Sequence, residues 1–159
     1  YFDRFSNTWH HGDFAEIKKT RGFIIHGRSD TTLNPGGVRL GTAEIYSEVE
    51  KFKEIKESIV VGQSWDNDVR IILFIVMNTK FYLTEDLLKK IKFQIKKNAS
   101  PRHVPSKIIE VKDIPRTKSG KIVELAVKNI LDGNNIKNKE ALANPEALKQ
   151  FKNLKELIN

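Results

Sequence analysis

The sequence predicts an α+β fold, a small mixed β-sheet flanked by amphipathic helices with a short N-terminal β-hairpin. Three observations carry this prediction. Two β-branched runs, Ile59 to Val61 and Val69 to Met77, are separated by GQSWDND and read as paired strands, the second buried on both sides. The stretch from Thr84 to about Lys97 places Leu87, Leu88, Ile91 and Ile95 at helical spacing and coats the remaining positions with lysine. Strands and helices mix without strict alternation and without a repeat.

Taken in order, Trp9 to Gly27 alternates polar groups with short apolar bursts and ends in GFIIHG, where Phe23, Ile24 and Ile25 suit a strand closed by glycine, so a hairpin is predicted. Gly27 to Gly37 holds three glycines and Pro35 and reads as a turn-rich connector. Thr42 caps a helix from about Ala43, with Glu44 in its first turn and Ile45, Val49, Phe52 and Ile59 along its face. Thr84 caps the second helix, which Pro101 and Pro105 stop. Ser106 to Val111 gives another strand, and Val123 to Leu131 a third helix closed by a left-handed Gly133. Gly133 to Ala143 is the expected flexible linker, and a last helix is expected from Pro145, behind Asn144.

A chain of 159 residues is long enough for one domain and buries roughly 70% of its unfolded surface. It opens on Tyr1 and holds its one methionine at Met77, so it reads as a fragment. The net charge of +8, from 28 basic and 20 acidic side chains, favours anionic ligands. ATP, coenzyme A and nucleic acid all satisfy that charge. Without cysteine there is no disulfide framework, thiolate nucleophile or cysteine-based zinc site, and a reducing, cytoplasmic setting is compatible. The longest apolar run, Ile71 to Met77, is far short of the roughly 18 residues of a membrane span.

The richest loop for chemistry is PRTKSGK, which gathers Arg116, Lys118 and Lys121 between Pro115 and a loosening Gly120, a density of cations suited to oxyanions. It is no Walker-type phosphate loop, because Ile122 follows Lys121 and no glycine precedes Gly120 by five positions. Arg28 and Arg39 bracket the glycine turn, where each guanidinium can grip two phosphate oxygens or pair with a local carboxylate such as Asp30 or Glu44. Asp13 can accept hydrogen bonds from two ribose hydroxyls, or serve a Gly-Asp turn. His10 and His11 are adjacent on an extended segment and point to opposite faces, so they do not share a metal.

These signals together, GRSDTTLNPGGVRLGTAEIY from Gly27 to Tyr46, WHHGD, SPRHVP and PRTKSGKIVELAVKNI, resemble the carboxy-terminal lid of the acyl-adenylate-forming ligases. The wording is most similar to the acetoacetate-activating branch, including the tail IKNKEALANPEAL. The resemblance implies residues 1–29 as the end of a large adenylate-forming domain and 30–159 as the C-terminal lid with a helical tail. It makes Lys121 the catalytic lysine of adenylate formation, Asp13, Arg28 and Arg39 ligands of ATP or AMP, and Asp30 the hinge. Gly36 and Gly37 would lie beside the pantetheine arm of coenzyme A, and Lys96 at its phosphate. ATP with Mg2+, acetoacetate and coenzyme A are the implied substrates, the large domain of the same enzyme the implied partner, and the fragment alone is expected to be inactive.

Two other readings stand beside this one: the lid of a related short-chain ligase such as an acetate-activating one, and a stand-alone basic module for RNA or DNA. The second needs aromatics interleaved with cations on an exposed sheet, whereas Phe74, Phe81 and Phe93 are expected among core-type neighbours. Neither nucleic acid nor a membrane is therefore the expected partner.

Overall fold

The structure, a computed structural model, describes residues 5–136 and 139–158. Residues 1–4 of the anticipated N-terminal segment, 137–138 of the anticipated linker and 159 lie outside it. Strands β1 (Asp13–Ile17) and β2 (Phe23–Arg28) form an antiparallel hairpin with a bulge between Phe14 and Ala15. A mixed three-stranded sheet follows, ordered β3–β4–β5, with β3 (Ile55–Trp65) antiparallel to β4 (Asp68–Met77) and β5 (Lys107–Glu110) parallel to it. Helices α1 (Thr42–Val49), α2 (Glu85–Asn98) and α3 (Glu124–Leu131) flank this sheet.

Ile71 to Val76, at the centre of β4, are all buried, because alternate side chains enter two separate cores. One core joins Ile71, Leu73 and Ile75 to Ile45 and Val49 of α1 and Leu87, Ile91 and Ile95 of α2. The other joins Ile72, Phe74 and Val76 to Ile109, Val127 and Phe151, with the Phe74 and Phe151 rings edge to face at 4.9 Å between centroids. Both faces of the sheet are thus covered, as the apolar run of β4 requires.

Several expected elements shift. The connector between β3 and β4 is only Asp66-Asn67, both left-handed (φ 49° and 58°), the hairpin turn that matches strand twist. The rest of GQSW extends β3. Thr42 is not the cap of α1: Gly41 holds that position without a side-chain bond, and a Cβ there would meet the His26 carbonyl oxygen at 2.4 Å. Helix α1 ends at Val49, so Phe52 lies beyond it and Ile59 in β3. Thr84 caps α2 as expected, its Oγ1 accepting from the Leu87 amide at 3.2 Å. Gly133 follows α3 in the left-handed region (φ 73°).

The element from Pro145 is a 3-10 helix to Phe151, and Asn144 does not cap it. Of the aromatics, Phe74 is buried, but Phe81 and Phe93 are 39% and 65% exposed, Phe93 on the lysine-rich outer face of α2. Among the described residues no helix is long and apolar enough to cross a membrane.

Candidate functional site

PRTKSGK folds as a tight hairpin. The Thr117 amide donates to the Lys121 carbonyl at 2.8 Å, Gly120 N donates to Thr117 O at 2.8 Å, and Arg116 pairs with Ile122 across the two arms. Gly120 takes the left-handed torsion of the turn (φ 82°), with nothing within 4 Å of the space a Cβ would fill. Thr117 Oγ1 accepts from the Lys121 amide at 3.1 Å, so the backbone of Lys121 is held on both sides while its side chain is exposed. A lysine at such a tip carries a compact charge on a long stem to whatever faces it.

Arg116, one of the three cations of the loop, turns inward. Its Nη1 donates to the Gly120 carbonyl at 2.8 Å and its Nη2 lies 3.2 Å from Glu57 Oε1 on β3. It therefore closes the turn and ties it to the sheet rather than offering its charge to a ligand. Beside it, a cleft of about 290 Å³ opens between α1, β3 and the loop, lined in part by Tyr46, Glu57 and Ile122.

The Tyr46 hydroxyl donates to Glu124 Oε1 and accepts from the Val60 amide at 3.0 Å. Burial, followed by the Glu124 carboxylate, holds that hydroxyl well above the usual phenol range. The bond fixes the first residue of α3 three positions past Lys121.

Arg28 and Asp13 are cross-strand partners in that hairpin. Arg28 grips Asp30 with two bonds, Nε to Oδ1 and Nη2 to Oδ2, each 2.9 Å, which raises the guanidinium pKa and lowers that of the Asp30 carboxyl. The local-carboxylate alternative for Arg28 is thus the arrangement present. Asp13 Oδ2 lies 2.5 Å from His11 Nδ1, so the second histidine of WHHGD pairs with this carboxylate. Arg39 is exposed and pairs with no carboxylate among the described residues.

Gly36 and Gly37 both have positive φ, 58° and 76°, with open space at the Cβ positions. The Gly36 amide donates to both carboxylate oxygens of Asp68, at 2.9 and 3.0 Å, which moors this turn to the start of β4. Backbone amides, Val69 first and Gly36 second, hold the Asp68 carboxyl below its usual range. Lys96 is exposed in the last turn of α2.

The structure therefore separates these residues into two groups. The Lys121 hairpin is tied to β3 at Glu57, and the glycine turn is tied beside Trp65 and Asp68 at the other end of the same strand pair. Eight residues of strand span about 25 Å at ~3.3 Å each. Three supports had no local signal in sequence: Glu57, Tyr46 and Asp68 are single polar residues whose partners are contributed by distant segments. Among the described residues no group of three His, Asp or Glu is placed to hold a metal ion.

Residues 44–121 of the chain match the AMP-binding enzyme C-terminal domain family. Along its whole length the chain is similar to acetoacetyl-CoA synthetases. It is 61% identical to the acetoacetyl-coenzyme A synthetase of Rhizobium meliloti over 157 residues, 99% of this chain and 24% of that protein. Identity to the enzyme of Xenopus tropicalis is 48%, over 100% of this chain and 24% of that one. Among solved structures, the acetoacetyl-CoA synthetase of Streptomyces lividans superposes with a TM-score of 0.86 at 39% identity, covering 96% of this chain and 23% of that one. An ATP-bound RpMatB-BxBclM chimera superposes at 0.66 with 26% identity, over 75% of this chain and 24% of the other. The chain thus spans about a quarter of the length of the curated relatives it matches.

Proposed function

We propose that this chain is the C-terminal lid of an AMP-forming ligase that activates acetoacetate with MgATP and passes the acyl group to coenzyme A in the cytoplasm. The observation that carries the reading is Lys121: an exposed amine on a hairpin whose backbone is held on both sides, within a chain similar throughout to acetoacetyl-CoA synthetases. The ammonium stabilises charge as a carboxylate oxygen attacks the α-phosphate and pyrophosphate leaves, an interaction that strengthens as the charge develops. Asp13 holds the ribose. Arg39 is ready for phosphate, whereas Arg28 must exchange Asp30 for it. That exchange gives Asp30 a physical role as hinge: it releases its arginine when the boundary between 1–29 and 30–159 turns.

In the second half-reaction the Gly36–Gly37 turn, lacking side chains, lets the pantetheine thiol approach the acyl-adenylate, and Lys96 meets a coenzyme A phosphate. The separation of about 25 Å along β3 between the moorings of the turn and of the hairpin supports two lid orientations sharing one active site. The remaining three quarters of the enzyme contributes the other wall, so the chain alone does not turn over.

The test uses the full-length ligase with a panel of acids, reading pyrophosphate and AMP. Acetoacetate is expected to be preferred over acetate and propionate, and Lys121→Ala to remove pyrophosphate release while thioester formation from supplied acyl-adenylate persists. Preference for acetate refutes the substrate; undiminished pyrophosphate release in Lys121→Ala refutes the role of the lysine.

A further inference from the structure

The tail beyond α3 lies outside the residues matched by the family, yet it is bonded to the hairpin that carries Lys121. The Lys118 amide donates to Ala141 O at 3.1 Å, the Ala143 amide donates to Arg116 O at 2.8 Å, and Thr117 pairs with Leu142 in antiparallel register. Residues 141–143 therefore lie along the arm 116–118 through one antiparallel bridge and two backbone hydrogen bonds, and the other edge of that arm holds the arm bearing Lys121. The segment expected to be a flexible linker thus ends bonded to the hairpin, with Leu142 buried.

Two side chains lock it in place. Asn144 Oδ1 accepts from the Arg116 amide at 2.8 Å, while its Nδ2 donates to Ile114 O at 2.9 Å and to Asp113 Oδ2 at 2.6 Å. Gln150 Oε1 accepts from the Lys112 amide at 2.7 Å and its Nε2 donates to Asp113 O at 2.6 Å. Together they bond the backbone of the approach to the hairpin, which among the described residues pairs with no strand of the main sheet. Phe151 and Leu148 anchor the tail in the cores below.

We propose that this tail, through Asn144 and Gln150, is a positioning element for Lys121, an addition to the domain that fixes the catalytic hairpin during adenylate formation. It rests on the function proposed above. A lysine tip supported on one side only by a two-arm hairpin samples a wider arc, and misplacement of a charge by an ångström is costly in catalysis. The tail narrows that arc without touching substrate. Because the glycine turn lies at the far end of β3 and β4, the second half-reaction does not depend on it.

The experiment measures both half-reactions in the full-length ligase: pyrophosphate release with acetoacetate and ATP, and thioester formation from supplied acetoacetyl-adenylate and coenzyme A. Asn144→Ala is expected to lower kcat of the first about tenfold with KM for ATP little changed, and to leave the second unaltered. Gln150→Ala, which keeps Asn144, gives a smaller loss with the same split and serves if the first variant does not fold. Equal loss in both half-reactions, or loss in neither, overturns the proposal. Lys121→Ala in parallel separates the two ideas: if it too leaves pyrophosphate release intact, the functional reading itself has failed; if it abolishes release while the tail variants do not, only the brace is wrong.

Discussion

Replacing Tyr46 with phenylalanine removes one oxygen that serves two partners. The Val60 amide, in a residue with no exposure, loses its acceptor, and Glu124 Oε1 loses its donor. A buried donor left unsatisfied costs about 1–3 kcal/mol. Glu124 is half-buried and water can replace part of its bond, so its share is smaller, and the total comes to about 2 kcal/mol. For a domain of this size that corresponds to a fall in Tm of roughly 4–8 °C. In urea, with a slope near 2 kcal/mol/M, the midpoint moves by about 1 M. Urea denaturation of the 159-residue chain and its Tyr46→Phe variant measures this, and a double-mutant cycle with Glu124→Gln isolates the pair. A loss below about 0.5 kcal/mol, or strictly additive single changes, refutes the strut between α1, β3 and α3.

Asp68→Ala frees the Gly36 amide, so the full-length ligase is expected to show a several-fold higher KM for coenzyme A with pyrophosphate release unchanged; an effect confined to adenylation contradicts the mooring. Glu48 offers a pH test. Its carboxylate accepts from Asn98 at 2.8 Å, Lys51 at 2.6 Å and Gln94 at 3.1 Å, and the Asn98 bond is the first cause of its lowered pKa. A depressed folded-state pKa stabilises above the unfolded value, about 4.3 for glutamate, and the gain disappears as pH falls through the folded value. Urea midpoints of the native chain and Glu48→Gln are therefore expected to differ most from about pH 5 upward and to converge in stronger acid; a constant difference across that range rules the carboxylate out.

What the sequence made legible was whatever repeats at a short period. The β4 run and the α2 face were readable because each element sorts its own side chains, by alternation or by every third and fourth residue. Thr84 was readable as a cap for the same local reason. Thr42 was not, since Gly41 is required by the approach of the His26 backbone, a neighbour contributed by the β1–β2 hairpin. PRTKSGK was legible as a loop from its proline and glycine, but Glu57 and Asn144, which hold it, are 64 and 23 residues away from Lys121 in sequence. Phe93 misled because helical spacing assigns a residue to a face, and only tertiary packing decides which face is covered.

Under the proposed function, the same distinction bears on how one lid would serve two reactions. A flexible loop could carry Lys121 away from an active site and bring Gly36 in, yet each is bonded to the same rigid strand pair, one near Glu57 and the other at Asp68. A strand pair buried on both faces holds its two ends, about 25 Å apart, at a fixed separation, so exchange between the two would require the sheet to turn as a body. The turn must then be absorbed where no core holds the chain. Residues 29–32 are such a place: Asp30 is bound to Arg28 through exposed side chains, 55% and 41% accessible, a pair worth little in water. A latch of that strength is broken and remade at small cost. A buried ion pair there would lock the lid in one orientation.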